Sequence, residues 1–543
     1  MTPNRADLHR SMPRPSGRVR RTAVAAAVAT ALGVLLAPEA MSQAATQADI
    51  QSLEKQVQKL QQEIDRMKTQ PVPAPTVAQE PSHSVPEAAK AAPVFYAGPL
   101  KVTLGGFVEL MVVNRDRNES ADWASNFNGS IPYPNAAQHQ YYTSEFHLTE
   151  RQSRIAALVE GPSTDKLHAE AYVETDFGGA GGTANYNESS SFSPRVRHFY
   201  ADLSDKDTGA FFLFGQTWSM VTAQKVGLGV RNENIPVLVD GQYMPGFSWL
   251  RVAQIRFVEK FSDKFSAGVS LENPTVLVTS GTYGTAPPAL TTQFNAPGAT
   301  NSFSPANNGT YATNNISLDY LPDIVVKAAL DPGWGHYEVF ALNRFFRARD
   351  TLVGDQHNVK TTGQGYGANI ILPLVPKMLD FQAGILAGKG VGRYGSSQLP
   401  DATSNPNTLG LTPLRGLQAL AGVIFRPAPA WTTFVYAGKE MVDRQYWEFP
   451  GGGKPYGYGY GDPLAVNTGC ETEAAGTCAA NTSQIMSATI GGWWKFYSGT
   501  LGNAQVGITD TYIKREIFSG VGGDPNTNIN IALVSFRYYP FQK

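Results

Sequence analysis

Cysteine is nearly absent from the 543-residue chain: Cys470 and Cys478 are the only two, eight residues apart in a Gly-rich stretch. With no His beside them they lack the ligands of a structural zinc site. In an oxidising compartment they predict a disulfide that staples a loop. Charged residues are also few, at 16%. The eight His are scattered, and no nucleophile elbow or metal motif accompanies them, so neither catalysis, a metal nor a cofactor is expected. Beyond the N-terminus no apolar run is long enough for a transmembrane helix. A membrane location therefore demands a closed barrel, the other fold that leaves no backbone group unpaired in lipid.

What the chain has in quantity is glycine (53), tyrosine (23) and phenylalanine (27). A wall that alternates apolar and polar residues gives this mixture. The N-terminus differs. Arg5, Arg10, Arg14, Arg18, Arg20 and Arg21 precede an Ala/Val/Leu run from Thr22 to Ala37, and Ser42-Gln43-Ala44 offers a cleavage site. Residues 1–44 thus predict a secretory signal peptide; the run is short for a membrane anchor, the alternative. Without them 38 basic and 43 acidic residues remain, a net charge of −5, which is no footprint for nucleic acid.

Residues 45–69 predict a coiled coil. Ile50, Leu53, Val57, Leu60, Ile64 and Met67 follow a 3-4-3-4-3 spacing among polar residues, a narrow stripe suited to copies of itself. Under three heptads are marginal alone, so something else must gather the copies. β-Branched a and Leu d positions lean toward a dimer; the alternative is an amphipathic helix resting on another surface. Residues 70–99 are Pro- and Ala-rich, a semi-rigid spacer.

From residue 101 the pattern changes to period two. Leu167, Ala169, Ala171 and Val173 alternate with His168, Glu170, Tyr172 and Glu174. Sixteen such runs, the first 101–115 and the last 529–541, are joined by connections that alternate long and short. The expected fold over 100–543 is an all-β, sixteen-stranded antiparallel transmembrane β-barrel with both termini in the periplasm. A soluble sandwich or propeller has no such strict rhythm.

Three stretches carry a family resemblance: Gly215-Gln216-Thr217-Trp218-Ser219, Gly491-Gly492-Trp493-Trp494-Lys495-Phe496-Tyr497, and the ending Ser535–Phe541. With the order signal, coil, spacer and barrel, the chain resembles the DcaP-like family of trimeric outer-membrane porins. Gln542 and Lys543 after Phe541 depart from barrels that end on the aromatic residue. The resemblance implies a homotrimer in the outer membrane of a Gram-negative bacterium, the coil in the periplasm, passing small, often carboxylated anions. It also sets the dimer leaning of the coil aside.

Selectivity in a wide barrel comes from charged rings and inward loops. Connection 220–248 carries apolar Val226, Leu228, Val230, Ile235, Val237, Leu238 and Val239 beside Lys225, Arg231, Glu233 and Asp240. It is expected to fold into the lumen, or else to pack on a neighbouring subunit. Arg154 and Arg256 belong to the lumen face if Ile155 and Ile255 face lipid. Arg195 and Arg197 share a face with Phe199, Ala201 and Leu203, which leaves their side in conflict. Glu170 and Glu174 are placed to pair with Arg154. Arginine forks suit carboxylates, so these residues either guide solutes or merely neutralise each other. The expected function is passive diffusion of small hydrophilic solutes, dicarboxylate-like anions preferred. The alternative is a structural anchor in outer-membrane lipid whose coil binds cell wall or a periplasmic partner.

Overall fold

The computed structural model describes residues 93–542 apart from 120–122, 124–126, 180–188, 190, 280–281, 284–293, 296–318, 351–356, 451–454 and 475. The signal segment, the coiled-coil positions Ile50 to Met67 and the spacer up to residue 92 lie outside the described residues.

Sixteen antiparallel strands form the wall. They begin with β1 (Leu100–Arg115), β2 (Glu145–Thr149 continued by Arg154–Glu160), β3 (Leu167–Asp176) and β4 (Arg195–Asp205). β5 (Phe211–Trp218), β6 (Arg251–Ser262), β7 (Phe265–Glu272) and β8 (Asp323–Leu330) follow. Next come β9 (His336–Asp350), β10 (Asn358–Val375), β11 (Leu379–Lys389) and β12 (Arg415–Ala428). β13 (Trp431–Val442), β14 (Thr482–Gly499), β15 (Gly502–Ile517) and β16 (Asn526–Tyr539) complete the circuit. β16 pairs with β1 from Val108↔Tyr538 to Arg115↔Ile531, so the sheet closes on itself. Each expected run overlaps one of these strands. Val94–Ala97, within the stretch expected as spacer, instead forms a short strand paired with Leu100–Thr103, so ordered wall begins before residue 99.

Alternation sorts the strands into two faces, as the pleat requires. On β1, Val108 and Leu110 are exposed outward, while Phe107, Glu109, Met111, Val113 and Arg115 are buried inward. Phe146, Ile155, Phe199, Phe214, Ile255, Val339, Ile490 and Phe536 continue the exposed outer band. Left open to water, so continuous an apolar belt would drive association; lipid is the solvent that suits it. Aromatic side chains gather where the short turns lie: Trp431 stacks on Trp494 at 5.6 Å, Trp494 meets Phe496 at 5.7 Å, and Trp334 meets Tyr337 at 5.2 Å. Such a girdle marks the hydrocarbon boundary.

At the girdle end the turns are tight, residues 263–264 and 429–430 being two residues each. At the opposite end most connections are long and pair with one another. Ala402–Asn405 lies between Val278–Thr279 and Gly410–Pro413, and Tyr456–Tyr460 pairs with Gln445–Phe449. β9 and β10 run on past the expected strand ends, reducing their connection to 351–357. Cys470 and Cys478 are joined in a disulfide within connection 443–481.

Candidate functional site

Connection 219–250 enters the lumen rather than leaving the barrel. Its backbone N–H groups are held by carboxylates on the inward face of the wall and its short turns. Met220 N donates to Glu272 Oε1 at 2.8 Å, Gln224 N to Glu338 Oε1 at 2.9 Å, and Gly227 N to Asp331 Oδ2 at 2.9 Å. Across the lumen Val239 N donates to Thr509 Oγ1 at 3.1 Å, and Gly246 N to Glu440 Oε1 at 2.7 Å. Trp493 Nε1 donates to Val237 O at 2.7 Å and Arg115 to the Tyr243 hydroxyl at 2.8 Å. These partners lie on β1, β7, β9, β13, β14 and β15 and in the β8–β9 turn, so the segment crosses the whole bore. Gly246 has φ +88, and a Cβ there would meet Ala419 O at 2.1 Å; only glycine lets the loop approach the wall so closely.

Other long connections join it. Glu440 also accepts from Ser397 N at 3.1 Å and Ser396 Oγ at 3.2 Å, tying connection 390–414 to the same carboxylate. Trp123, Phe127 and Ile131 pack with Val239, Tyr243 and Leu399 against Met111, Val113, Ile513, Ile531 and Leu533. The lumen beside β1, β15 and β16 is thus occupied by an apolar core, which excludes water there.

Next to this core, β2 to β6 carry a cluster of arginines, with Arg195 lying 5.9 Å from the Trp123 ring centroid. Arg195 grips Asp176 with two bonds, Nε to Oδ1 at 3.0 Å and Nη2 to Oδ2 at 2.7 Å. Arg197 bridges Glu174 at 2.6 Å and Asp176 at 2.9 Å. Arg154 stands 3.7 Å from Glu174. Arg251 lies over the rings of Trp218 and Trp249, at 4.6 and 5.2 Å from their centroids. Its Nη1 has no hydrogen-bond partner. Four guanidiniums therefore share two carboxylates.

The conflict over Arg195 and Arg197 is resolved by a β-bulge. Glu174 pairs with His198 but the next residue, Thr175, pairs with Val196, which leaves Arg197 as the extra residue. Inward parity shifts there: Arg195 and Arg197 point in from one side of the bulge, His198, Tyr200 and Asp202 from the other. Phe199 remains outside, 66% exposed. On the adjacent strand Gly215 (φ +125) faces the bulged segment, where a Cβ would sit 2.4 Å from Phe199 O.

All ten charged residues singled out in the sequence lie on the lumen side or in the inward loop, but not all meet water. Arg154 and Arg195 keep part of their side chains accessible (23% and 30%). Lys225 is exposed on the loop, and Arg231 pairs with Glu170 at 2.5 Å and with the Tyr200 hydroxyl at 2.8 Å. Arg197, Glu233, Asp240 and Arg256 are buried and line nothing. Arg256 donates Nε to Gln254 Oε1 and Nη2 to Trp218 O, and its Nη1 has no hydrogen-bond partner. Asp240 caps a turn through Gln242 N at 2.9 Å. Burial pushes its carboxyl up to about 6, helped by Glu109 and opposed by the Gln242 N–H, Arg197 and Arg154. Arg251 and the wall carboxylates were not among the expected residues. Glu272, Glu338 and Glu440 do share the inward parity of their strands, the one signal that could have marked them.

A closed sixteen-stranded barrel with a long connection folded across its bore has porin architecture. The outer membrane channel DcaP of Acinetobacter baumannii has a similar fold: TM-score 0.53 and 16% identity over 81% of this chain and 97% of that chain. This agrees, at the level of fold, with the resemblance carried by the sequence motifs. The outer membrane protein OmpT of Vibrio cholerae superposes less well (TM-score 0.42, 10% identity, 82% of this chain, 100% of that chain). So does an anion-selective porin from Comamonas acidovorans (TM-score 0.40, 10% identity, 81% of this chain, 99% of that chain), and nothing rests on either. No family model matches the chain, and no curated protein matches it in sequence.

Proposed function

We propose that the chain forms an outer-membrane channel of a Gram-negative bacterium for passive diffusion of small hydrophilic solutes, with a preference for small organic anions such as dicarboxylates. The carrying observation is the arginine group on β2 to β6 facing the inward loop. Four guanidiniums against Glu174 and Asp176 leave an excess of two positive charges on the inward side of β2 to β6, where Arg154 and Arg195 keep part of their side chains accessible. The wall acids Glu272, Glu338, Glu440 and Asp331 accept bonds from loop N–H groups, which reduces their repulsion of an anion. Residues 1–44 would be removed on export. Residues 45–69 would assemble as a periplasmic coil under a homotrimer of barrels, each of which brings one weak helix to the bundle.

The apolar core inside the bore supports a second reading, a plugged barrel that anchors the coil to cell wall or a periplasmic partner. Planar-bilayer recording of the purified full-length protein in a salt gradient separates the two. A reversal potential of anion-selective sign is expected. Cation selectivity would overturn the anion preference, and absence of conductance would favour the anchor.

A further inference from the structure

On the outer wall one ionisable side chain stands inside the apolar band. Thr509 and Thr511 on β15 are buried inward, so Asp510 between them points outward, where it is exposed. Its register row runs Ile490, Asp510, Ala532, Asn114, Phe146, from β14 round to β2. Ile490 and Phe146 at the ends of that row, and Ile508 one step below, belong to the exposed apolar surface. Val506, the partner of the girdle residue Trp494, is four residues from Asp510. That is roughly 13 Å along the strand, in a band about 25 Å tall. Asp510 therefore lies within the hydrocarbon layer. Among the described residues it has no ion pair and no side-chain hydrogen bond. Lys514, four residues further on the same face, is taken by Glu516 at 2.7 Å.

An ionisable group at this depth is costly and marks a contact with something able to satisfy it; lipid tails have no hydrogen-bond donor. Half the circumference away, the outward residues of β7 and β8, such as Leu271 and Val326, are apolar throughout. Around Asp510 small and polar outward residues appear instead: Ala488, Ala532, Asn114 and Asn530. Small residues let two walls approach closely.

The identity of the partner follows from where the preceding chain joins the wall. Val94–Ala97 pairs with Leu100–Thr103, and Pro93 O accepts from Leu104 N at 3.3 Å. The other edge of β1 is occupied there by β2. The short strand thus lies on the β16 edge of β1, directly below the last β16 pair, Val108↔Tyr538. The chain before Pro93 joins the barrel at the foot of the seam between β16 and β1, under the face that carries Asp510. A segment that gathers copies from that point brings their seams nearest to one another.

We infer that the outward face of β15, β16 and β1 is the contact between copies of this chain, and that Asp510 accepts a hydrogen bond from the next copy there. The inference rests on the homotrimer proposed above, but not on what the bore conducts.

Native mass spectrometry of the full-length detergent-purified protein tests this, with unheated gels to report that the barrels are folded. The parent should be a trimer. Asp510→Leu, a favourable change on a wall in lipid, should raise the monomer fraction about tenfold, as expected for the loss of one hydrogen bond to an acid. Asp510→Asn keeps a hydrogen-bonding head and should fall between the two. Ala532→Trp should split the trimer by bulk, whereas Ala328→Trp on the outward face of β8 should leave it intact. Parent-like trimers in both Asp510→Leu and Ala532→Trp would overturn the inference. So would trimers split by Ala328→Trp alone, or loss of a different co-purified protein in the Asp510 and Ala532 variants with the trimer unchanged. A monomeric parent would refute the homotrimer itself, and the inference with it.

Discussion

Arg251 is the residue whose environment most exceeds what its neighbours in sequence foretell. It stands at the first position of β6 on the parity of the outward Ala253 and Ile255, which points it away from the lumen, yet it ends over two indoles with one amino group unbonded. Arg251→Gln should lower the anion-to-cation permeability ratio roughly fivefold, the effect of about 1 kcal/mol from one charge in a watery bore; an unchanged reversal potential would remove it from the selectivity argument. Asp240 belongs to the same scale. Its carboxyl, held up at about 6 by burial, is charged above that pH and neutral below it. Anion preference should therefore rise as pH falls through about 6. Asp240→Asn should flatten this response, and a parent-like pH curve in that variant would assign the titration elsewhere. Arg197 shows how a residue can be half legible: the clash of parity between Arg195–Arg197 and Phe199–Leu203 was visible in the sequence, and the bulge is its cause.

At the scale of elements, strands and their order were readable because side-chain alternation and turn length are local properties. Connection 219–250 was legible as an inward segment from its apolar content. Its fastening was not, because Glu440 and Gly246 are 194 residues apart and no spacing rule links them. Glu440 holds both this connection and 390–414. Glu440→Ala leaves the N–H groups of Gly246 and Ser397 without an acceptor, a cost on the order of 3 kcal/mol to loop docking. Single-channel records of this variant should show larger or noisier conductance, whereas the barrel itself should keep its resistance to unfolding in detergent. Quiet, parent-sized channels would mean that the remaining anchors at Glu272, Glu338 and Asp331 suffice.

For the whole molecule, the proposed reading gives assembly to residues 45–69 and transport to the barrel. Deleting 45–92 spares the short strand Val94–Ala97 and its pairing with β1. The conductance of each barrel should persist in that variant, while the oligomer should dissociate at a lower temperature on heating gels; loss of conductance would tie the coil to transport itself.

The ladder that joins β16 to β1 has a further consequence for how such a molecule can come into being. Every interior strand has two partners, but the first and the last acquire their second partner only from each other, across more than four hundred residues of chain. Until Asn526–Tyr539 has been made and delivered, the sheet keeps an open edge at each side, with bare amide groups that lipid cannot solvate. The barrel is therefore indivisible in time as well as in space. Its last fourteen-residue strand is the latch of the whole wall, and a protein cut short by that one element has no partly finished form that a membrane can hold.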